Sequence, residues 1–325
     1  MKVAIIGCGL IGHKRAKSLP EGIEIAGCYD TDSLKAKSFE AEFKTKSFSN
    51  LEKLLSIQDL VFVIIATTHD ALCSSAVQAL NAGKHVFIEK PGAININQLK
   101  ELYNYPRPRE LKIHIGYNHA YFPAFVQAFK IFNEGAIGEL MFLRGSYGHG
   151  GRIGYENEWR ADKEKSGGGE LIDQGSHLIE LALHFLGPAK VEYAATPSYF
   201  WQMNVEDNVF MALVNKNGNL AFLHASCTEW KNMFSFEIYC KNGKIDISGL
   251  GNSYGIQTLT LHKMKPEMGP PISETWEFPD TSYSWRMEMK QFVDDIVKDE
   301  KNSDNLSNAL EVLEIIDEIY EKTER

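Results

Sequence analysis

The sequence predicts two domains of different fold class, an α/β domain in residues 1–117 and an α+β domain in residues 118–325. In the first domain strand-like and helix-like runs alternate, which is typical of a parallel sheet with helices on both faces. In the second domain the strand-like runs are separated by short turns at residues 215–218 and 241–243. Such turns favour local hairpins, and therefore a mostly antiparallel sheet.

The predicted strands of the first domain are residues 3–6, 23–28, 60–65, 85–88 and 111–116, and its predicted helices include residues 33–43, 51–55, 71–81 and 95–103. In the second domain a strand at 139–147, an irregular segment at 148–169 and a helix at 170–185 precede the hairpins. Two amphipathic patterns predict helices at 285–298 and 305–323. We expect residues 285–325 to pack back on the first domain.

Composition and charge disfavour several classes of protein. The 325 residues include 34 Lys and Arg against 43 Asp and Glu, a net charge of −9, which disfavours sequence-independent binding to nucleic acid. The longest apolar run, residues 60–66, is too short to cross a membrane, and the apolar N-terminal run lacks the features of a cleavable signal. The five cysteines show no C-x-x-C pairing, so we expect free thiols in a reducing cytoplasm and no metal site.

The first strand runs into the turn Gly7-x-Gly9-x-x-Gly12, which opens a helix. Gly7 allows a tight turn, Gly9 lets a pyrophosphate approach the backbone, and Gly12 lets the helix pack closely on the strand. The N–H groups of the helix start, at Leu10 and Ile11, and the positive end of the helix dipole would hold the phosphates. The pattern predicts a dinucleotide site, and a glycine-rich turn without a ligand is the alternative.

An acidic residue follows the second strand at the place where it could bind the adenosine ribose. Asp30 lies 18 residues after Gly12 (30 − 12), close to the separation of roughly 20 residues that a dinucleotide fold uses. A carboxylate there would repel a 2′-phosphate, and no arginine follows in residues 31–34. NAD is therefore favoured over NADP. Asp32 would replace Asp30 if the strand were longer than predicted.

Ligands of open α/β sheets bind at the carboxyl ends of the strands. Two such ends carry polar side chains, and we expect both to contribute to the cofactor site: Thr67, Thr68 and His69 after one strand, and Glu89 and Lys90 after another. Lys90 is the candidate for chemistry, because a strand delivers it and a proline follows it. A surface lysine in an ordinary turn is an equally good interpretation of this motif alone.

The stretch of residues 167–177 combines glycines with an acid and a histidine. On a helix Asp173 and His177 are four residues apart and share a face. A carboxylate fixes the tautomer of a neighbouring histidine and raises its basicity, which suits a base that takes a hydroxyl proton in a dehydrogenase. On spacing alone, a surface pair worth about 0.2–0.5 kcal/mol is the favoured alternative. Gly175 and the glycines at 167–169 would allow close approach of a ligand or another segment.

The glycine triplet, Glu89-Lys90-Pro91 and Asp173-x-Gly175-x-His177, in this order and spacing, resemble the Gfo/Idh/MocA family of sugar and cyclitol oxidoreductases. The resemblance covers essentially the whole chain. It implies a Rossmann domain and a second domain whose open, largely antiparallel sheet commonly joins subunits into homodimers or homotetramers. It also implies that Lys90 is the catalytic lysine, that His177 is the proton acceptor and that Asp173 assists it.

The remaining expectations concern cofactor and substrate contacts. Trp159-Arg160 resembles a pair that reaches the cofactor in some members of the family. Residues 118–122 depart from the family's common pattern, and Thr68 stands where many members have proline. Both departures bear on the identity of the substrate and not on the catalytic residues. Asn118-His119, residues 148–155 and Trp159-Arg160 resemble members that act on nucleotide-linked or amino sugars in surface-polysaccharide pathways. Arg152 suits a phosphate or carboxylate, and a solvated loop charge is the alternative.

The sequence therefore predicts a cytoplasmic NAD-dependent dehydrogenase acting on a hydroxyl of a sugar, cyclitol or nucleotide sugar. We expect Lys90, Asn118, Arg152, Asp173 and His177 to contact the substrate, Asn118 also to contact the cofactor, and no nucleic acid or membrane partner. One alternative is a sugar–sugar oxidoreductase that never releases its cofactor. Another is a catalytically silent nucleotide-binding regulatory or scaffold protein, for which Lys90, Asp173 and His177 together would be unnecessary.

Overall fold

The computed structural model describes residues 1–108, 110–298 and 305–323. These residues fall into two compact units. The first unit takes the described residues of Met1–Tyr117 and Trp285–Leu310, and the second takes those of Asn118–Ser284 and Glu311–Arg325. Residues 299–304, 324 and 325 of the predicted C-terminal segment lie outside the described residues.

The elements as far as Gly116 are β1 (Lys2–Ile6), α1 (Leu10–Lys17), β2 (Glu24–Tyr29), α2 (Ser33–Phe43), α3 (Leu51–Leu55), β3 (Leu60–Ile65), α4 (Leu72–Asn81), β4 (His85–Glu89), α5 (Ile96–Tyr103) and β5 (Ile113–Gly116). Side-chain caps explain where several helices begin. Asp32, Asn50 and Asn95 precede α2, α3 and α5, and each accepts a hydrogen bond from a backbone N–H of the first turn.

The sheet of the first unit is parallel throughout, with strand order β2-β1-β3-β4-β5. Its central strands are nearly continuous apolar runs, as expected of strands covered on both faces. The helix α9 (Tyr283–Lys298) adds Met289, Phe292 and Val293 to the core of this unit. The ring of Phe292 packs edge-on 5.6 Å from Phe62 and 5.5 Å from Phe87.

The elements of the second part of the chain are α6 (Pro123–Asn133), β6 (Leu140–Gly148), α7 (Lys163–Ser166), α8 (Ser176–Leu186), β7 (Ala189–Ala195), β8 (Asn208–Asn215), β9 (Leu220–Ser226), β10 (Met233–Cys240), β11 (Gly243–Ser248), β12 (Gln257–Lys263), β13 (Ile272–Phe278) and α10 (Leu306–Thr323). Short 3-10 turns occupy much of the segment between β6 and α7.

The sheet of the second unit has eight strands in the order β13-β12-β11-β10-β6-β9-β8-β7. Neighbouring strands are antiparallel except β6 and β9, which are parallel. The turns at 215–218 and 241–243 join the hairpins β8–β9 and β10–β11. One face of the sheet is covered by α6 and by α8, which is buried almost all round. The predicted fold class, a parallel α/β domain followed by an α+β domain with a mostly antiparallel sheet, is confirmed.

Three further properties bear on the class of protein. No helix of the described residues combines the length and the apolar character that crossing a membrane requires. All five cysteines, each in the described part of the chain, are free, and only Cys73 is not fully buried. Among the described residues no group of three or more His, Cys, Asp or Glu side chains is placed to hold a metal ion.

Candidate active site

Three glycines shape the turn between β1 and α1. Gly7 has a φ of +95°, and a Cβ on it would overlap the Ala66 carbonyl oxygen. A Cβ on Gly12 would overlap the Gly7 carbonyl oxygen, so α1 approaches the end of β1 only because Gly12 has none. A Cβ on Gly9, in contrast, would meet no atom of the described residues within 4 Å. The backbone at Gly9 therefore has the open space that a phosphate needs.

Alanine at two of these glycines should separate folding from ligand binding. We expect Gly12→Ala to lower the free energy of unfolding by about 1–3 kcal/mol, because the added methyl group has no room. Gly9→Ala should change it by less than about 1 kcal/mol and yet weaken NAD binding, because the methyl group would occupy the open space. Urea denaturation and calorimetry with NAD measure the two effects. Tight NAD binding by Gly9→Ala would contradict a phosphate site at this turn.

Asp30 directly follows β2 and lies beside the glycine turn. One carboxylate oxygen accepts a hydrogen bond from the backbone N–H of Cys8 (2.7 Å), and the other accepts one from the N–H of Asp32 (2.8 Å). Asp32 itself caps α2, with its Oδ1 accepting hydrogen bonds from the N–H groups of Leu34 and Lys35. Of the two acids, Asp30 therefore lies at the strand end beside the turn, while Asp32 is occupied with the helix.

The other cofactor candidates of the first unit lie at helix and strand ends. Leu10, which is 73% exposed, and Ile11 begin α1. Thr67 and Thr68 follow β3, and the hydroxyl of Thr67 donates to the Thr68 carbonyl oxygen (3.0 Å). His69, which is buried, begins a 3-10 turn there. Since neighbouring strands are parallel, these residues and Asp30 lie at the same edge of the sheet.

Glu89, the last residue of β4, belongs to a buried charge cluster. Its carboxylate accepts a hydrogen bond from Arg15 Nε, and Arg15 Nη1 donates to Glu288 Oε2 (2.6 Å). The guanidinium of Arg15 is fully buried between the rings of Phe87 and Trp285, 4.4 Å and 4.3 Å from their centroids. Burial raises the pKa of Glu89, and the cation of Arg15 only partly opposes that rise.

Lys90 follows this anchored carboxylate at the carboxyl edge of the sheet, where a cis peptide bond joins it to Pro91. The backbone of Lys90 is fixed in position, because the side chain of the preceding residue, Glu89, is held by the fully buried Arg15. Its role in catalysis stays a prediction. The carboxylate of Glu89 is engaged with Arg15, so its contribution to a cofactor site would come through its backbone or through Lys90.

In the second unit, the predicted helix at 170–185 begins with a π-helical turn, Leu171–Gly175, and then continues as α8. The regular α-helical spacing assumed for Asp173 and His177 is therefore wrong for this turn. At the start of this helix the N–H of Leu171, which has no partner within the helix, donates to a side chain, Glu206 Oε1 (3.0 Å). Asp173 Oδ2 accepts a hydrogen bond from Arg160 Nε (2.8 Å), a partner 13 residues earlier that spacing did not suggest. Single π-helical turns are frequent at functional sites.

His177, the second residue of α8, lies in a buried polar cluster. Its ring stacks on the ring of His119, with centroids 3.7 Å apart and planes at 29°. The ring of Tyr147 lies 6.1 Å from His177 and 5.3 Å from His119. Burial holds the pKa of Tyr147 well above its usual value, so its phenol remains a donor. Two imidazoles in such close contact disfavour simultaneous protonation, because their charges would repel.

Asn118 and the candidates of the segment before α7 have partners of their own. The amide nitrogen of Asn118 donates to the Ser284 hydroxyl (3.1 Å). The guanidinium of Arg160 lies over the ring of Trp159, 4.5 Å from its centroid, as well as beside Asp173. Arg152, which is exposed, donates to Glu158 Oε2 (2.5 Å). A substrate anion would have to compete with Glu158 for Arg152.

A second carboxylate, Glu170, is buried immediately before the π-helical turn. Its Oε1 accepts a hydrogen bond from the Tyr155 hydroxyl (3.1 Å) and lies 3.5 Å from His149 Nε2. Burial alone would lower the pKa of His149, but the hydrogen bond and charge of Glu170 raise it above its usual value. His149 is therefore more readily protonated than an ordinary buried histidine.

The sequence-based selection of site residues missed Arg15, His119 and Tyr147. Arg15 lies three residues after Gly12, on the same face of α1, and that spacing was the available signal for a buried arginine. His119 entered the sequence analysis only as part of the Asn118-His119 pattern that bears on the substrate, and its stacking on His177 joins residues 58 positions apart in sequence (177 − 119). Tyr147 lies near the end of β6 and had no sequence signal beyond that position.

Two family models match the chain. The model described as "Oxidoreductase family, NAD-binding Rossmann fold" matches residues 1–117, and the one described as "GFO/IDH/MocA C-terminal domain" matches residues 125–246. Together they cover well over half of the chain. The resemblance seen in the glycine triplet, the Glu-Lys-Pro motif and the Asp-x-Gly-x-His motif is confirmed at the level of the family.

Individual curated relatives share about a third or less of their residues with this chain over the matched segments. The chain is 30% identical over 187 residues to glucose-6-phosphate 3-dehydrogenase of Bacillus subtilis (strain 168), which is 55% of this chain and 52% of the relative. It is 27% identical over 280 residues to 2,7-anhydro-N-acetylneuraminate hydratase of Escherichia coli (strain K12), 79% of this chain and 71% of the relative. For several other curated relatives, the match spans about half of their length.

A solved structure of levoglucosan dehydrogenase in complex with NADH superposes with a TM-score of 0.88. The superposition covers 100% of this chain and 97% of that chain at 21% sequence identity, so it shows a common fold. The family models, the parallel sheet with its glycine turn and the mostly antiparallel second sheet agree with one another. This chain is therefore a member of the GFO/IDH/MocA family of NAD(P)-binding oxidoreductases.

Proposed function

We propose that this oxidoreductase transfers a hydride between a hydroxyl-bearing carbon of a sugar or sugar derivative and the nicotinamide of NAD. The observation that carries the proposal is the buried polar cluster around His177, which a protein that only binds a nucleotide would not need. Alcohol oxidation requires a base that takes the hydroxyl proton. His177 supplies such a base, and the protonated phenol of Tyr147 and the Arg160–Asp173 pair belong to the same unit.

The residues of the glycine turn fit a dinucleotide. The open backbone at Gly9, the N–H groups at the start of α1 and the carboxylate of Asp30 are the parts that would hold the phosphates and the ribose. When bound, the nicotinamide supplies the hydride acceptor for oxidation, or the donor for reduction. We propose that Thr67, Thr68, His69, Asn118 and the Trp159-Arg160 pair contribute further cofactor contacts.

We assign the proton of the substrate hydroxyl to His177 and Lys90. His177 is the proton acceptor, and its ring is held in a buried position against the ring of His119. Asp173, held by Arg160, supplies a negative charge in the same unit, which favours the imidazolium that forms when His177 takes the proton. Lys90 donates a hydrogen bond to the reacting oxygen. Tyr147 is a second candidate donor.

The substrate class is a sugar, a cyclitol or a nucleotide sugar. Relatives named as dehydrogenases of a sugar phosphate and of levoglucosan support a sugar. We propose a nucleotide-linked or amino sugar of a surface-polysaccharide pathway, on the residues at 118–119, 148–155 and 159–160. Five free thiols are consistent with chemistry in a reducing cytoplasm. Turnover of free sugars in preference to nucleotide sugars would contradict the narrower proposal.

The preference for NAD over NADP should depend on the charge of Asp30. We expect Asp30→Asn to raise the affinity for NADP relative to NAD by about tenfold, because the amide keeps the acceptor for Cys8 but removes the repulsion of a 2′-phosphate. The matched control is Asp32→Asn, since asparagine caps a helix as well as aspartate does. Calorimetry with both nucleotides measures the preference. A shift in Asp32→Asn alone would assign the ribose to Asp32.

A second candidate function follows from the relative with the longest match quoted above. That protein is named a hydratase, and a hydratase has no net oxidation. An enzyme of that kind, or a sugar–sugar oxidoreductase, would keep its nucleotide through the cycle. Nucleotide that remains on the protein through gel filtration, with no release of NADH during turnover, would favour this candidate. A silent binding protein would show neither turnover nor an effect of replacing His177.

We also propose that the chain forms a homodimer or homotetramer through the second sheet. The face of that sheet opposite α8 carries exposed aromatic side chains: Tyr193 is 60% exposed, Phe210 is 37% exposed and Phe222 is 52% exposed. Two ion pairs, Arg144–Glu237 and Lys244–Asp246, lie on the same face. A second copy of this surface would bury the aromatic side chains. Light scattering should give a mass of two or four chains, and a single chain would contradict the proposal.

A further inference from the structure

Glu206 and Tyr320 form a hydrogen-bonded cluster at the start of the π-helical turn. Glu206 Oε1 accepts hydrogen bonds from the N–H groups of Gly169 and Leu171, both at 3.0 Å, and from the Tyr320 hydroxyl at 2.9 Å. The backbone is also joined there, because the N–H of Glu170 donates to the Glu206 carbonyl oxygen (3.1 Å). We call Glu206 and Tyr320 the carboxylate clamp.

The glycine run is fitted to this clamp. A Cβ on Gly168 would overlap the Tyr320 hydroxyl, and a Cβ on Gly169 would overlap the Glu206 carbonyl oxygen. Two glycines of the run are therefore required by the close approach of two other segments of the same unit. Close approach of another segment is one of the two alternatives that the glycine pattern left open. Burial raises the pKa of Glu206, and its hydrogen bonds oppose that rise. Glu206 is a carboxylate with three donors on one oxygen and little solvent around it.

The clamp is connected to the candidate catalytic groups through backbone bonds. The N–H of Asp173 donates to the carbonyl oxygen of Gly169 (3.1 Å), so a shift of Gly169 would displace Asp173. His177 is the second residue after the π-helical turn, because α8 begins at Ser176. The N–H groups that Glu206 accepts lie at the start of the helix, where N–H groups have no partner within the helix. Glu206 therefore caps the helix at the point where the π-helical turn begins.

We propose that Glu206 and Tyr320 are positioning residues that fix the π-helical turn and, through it, the side chains of Asp173 and His177. The effect on turnover rests on the function proposed above, whereas the effect on the turn itself does not. Displacement of a catalytic group by about 1 Å costs about a hundredfold in rate. Glu206→Ala should therefore lower kcat by about tenfold to a hundredfold, with a smaller effect on KM.

A cavity behind the clamp allows a test that separates positioning from general destabilisation. The cavity has a volume of about 300 Å³ and is lined by Gly168, Glu206 and Tyr320, among others. Truncation of Glu206 would enlarge it by the volume of a small carboxylate. Formate should enter, accept the freed N–H bonds and restore at least about a third of the lost kcat in Glu206→Ala, while chloride at the same ionic strength should not.

Two conservative variants and one control complete the design. Glu206→Gln keeps an acceptor oxygen and should retain kcat within about threefold, whereas Tyr320→Phe removes one donor and should lower kcat by about threefold to tenfold. The control is Glu318→Ala on α10. Glu318 also accepts a backbone N–H, that of Val191 at 3.3 Å, but in β7 and away from the glycine run. Its kcat should be unchanged.

Hydrogen exchange tests the clamp without any turnover. Amides of the peptide 167–175 should exchange faster in Glu206→Ala than in the unaltered chain, and formate should slow them again. Glu318→Ala should leave that peptide unchanged. Unaltered exchange at 167–175 in Glu206→Ala, or equal losses of kcat in the Ala and Gln variants without rescue by formate, would overturn the proposal. Faster exchange at 167–175 in Glu206→Ala that formate reverses, in a protein that oxidises no sugar, would support the carboxylate clamp and contradict the proposed function.

Discussion

Replacing Lys90 or His177 by alanine is expected to lower kcat by about 10²–10⁴, while NAD still binds. His177 is buried in a polar cluster with His119 and Tyr147, so no solvent base can readily take its place. Lys90 follows Glu89, whose carboxylate is held by the buried Arg15, so the backbone at Lys90 is fixed in position. Steady-state turnover and calorimetry with NAD measure the two properties.

Matched controls are available for both residues. Lys84 lies immediately before β4, at the opposite end of the strand from Lys90, and its Nζ donates to the Leu60 carbonyl oxygen (2.9 Å). His184 lies on α8 seven residues after His177 and contacts Glu180 (2.8 Å). Lys84→Ala and His184→Ala should keep normal kcat. Full activity in Lys90→Ala or in His177→Ala would remove that residue from the proposed chemistry.

Arg15→Met is expected to lower the free energy of unfolding by about 3–5 kcal/mol, because it leaves the carboxylates of Glu89 and Glu288 buried without their cation. Methionine keeps apolar contact with the rings of Phe87 and Trp285, so the loss reports mainly the charge. The control is Arg144→Met, whose partner Glu237 lies on the sheet surface, where the pair is worth less than about 1 kcal/mol. Urea denaturation measures both.

The loss in Arg15→Met should also depend on pH. Burial already raises the pKa of Glu89 in the folded chain, and the charge of Arg15 opposes that rise. Removal of Arg15 will therefore raise the pKa of Glu89 further. The folded variant then binds more protons than its unfolded chain above the usual pKa of a glutamate, so its stability falls as the pH rises through that window. We expect a larger loss at about pH 8 than at about pH 5.5. A loss that is small, or equal at both values, would contradict a buried charge cluster.

The fold could be predicted where local pattern and tertiary structure agree. The predicted helix at 33–43 coincides with α2, because Asp32 caps its N-terminus and so fixes where the helix begins. The strands at 3–6 and 60–65 were recognisable because both of their faces are buried, which leaves nearly continuous apolar runs. The parallel pairing of β6 with β9 had no such signal, since it joins strands that are far apart in the chain.

The candidate site could be predicted only in part, because its contacts are long-range. Spacing suggested that Asp173 and His177 share a face of a regular α-helix, but the turn before His177 is π-helical and its start is capped by Glu206 from a distant part of the chain. The partner of Asp173 is Arg160, which lies in an irregular segment whose path no periodicity describes. The spacing of Arg15 from Gly12 indicates a buried face of α1, but it does not identify the two carboxylate partners of Arg15, which lie 74 and 273 residues away.

The measurement that tests the central claim most directly is NADH formation, followed by absorbance, with a panel of free sugars, inositols, uronic acids and nucleotide sugars, and with NAD and NADP in parallel. We predict turnover with one class of these compounds, faster with NAD than with NADP, and abolished in His177→Ala. Tight NAD binding without turnover of any compound would contradict hydride exchange with a free nicotinamide. It would then favour an enzyme that retains its cofactor or a silent nucleotide-binding protein.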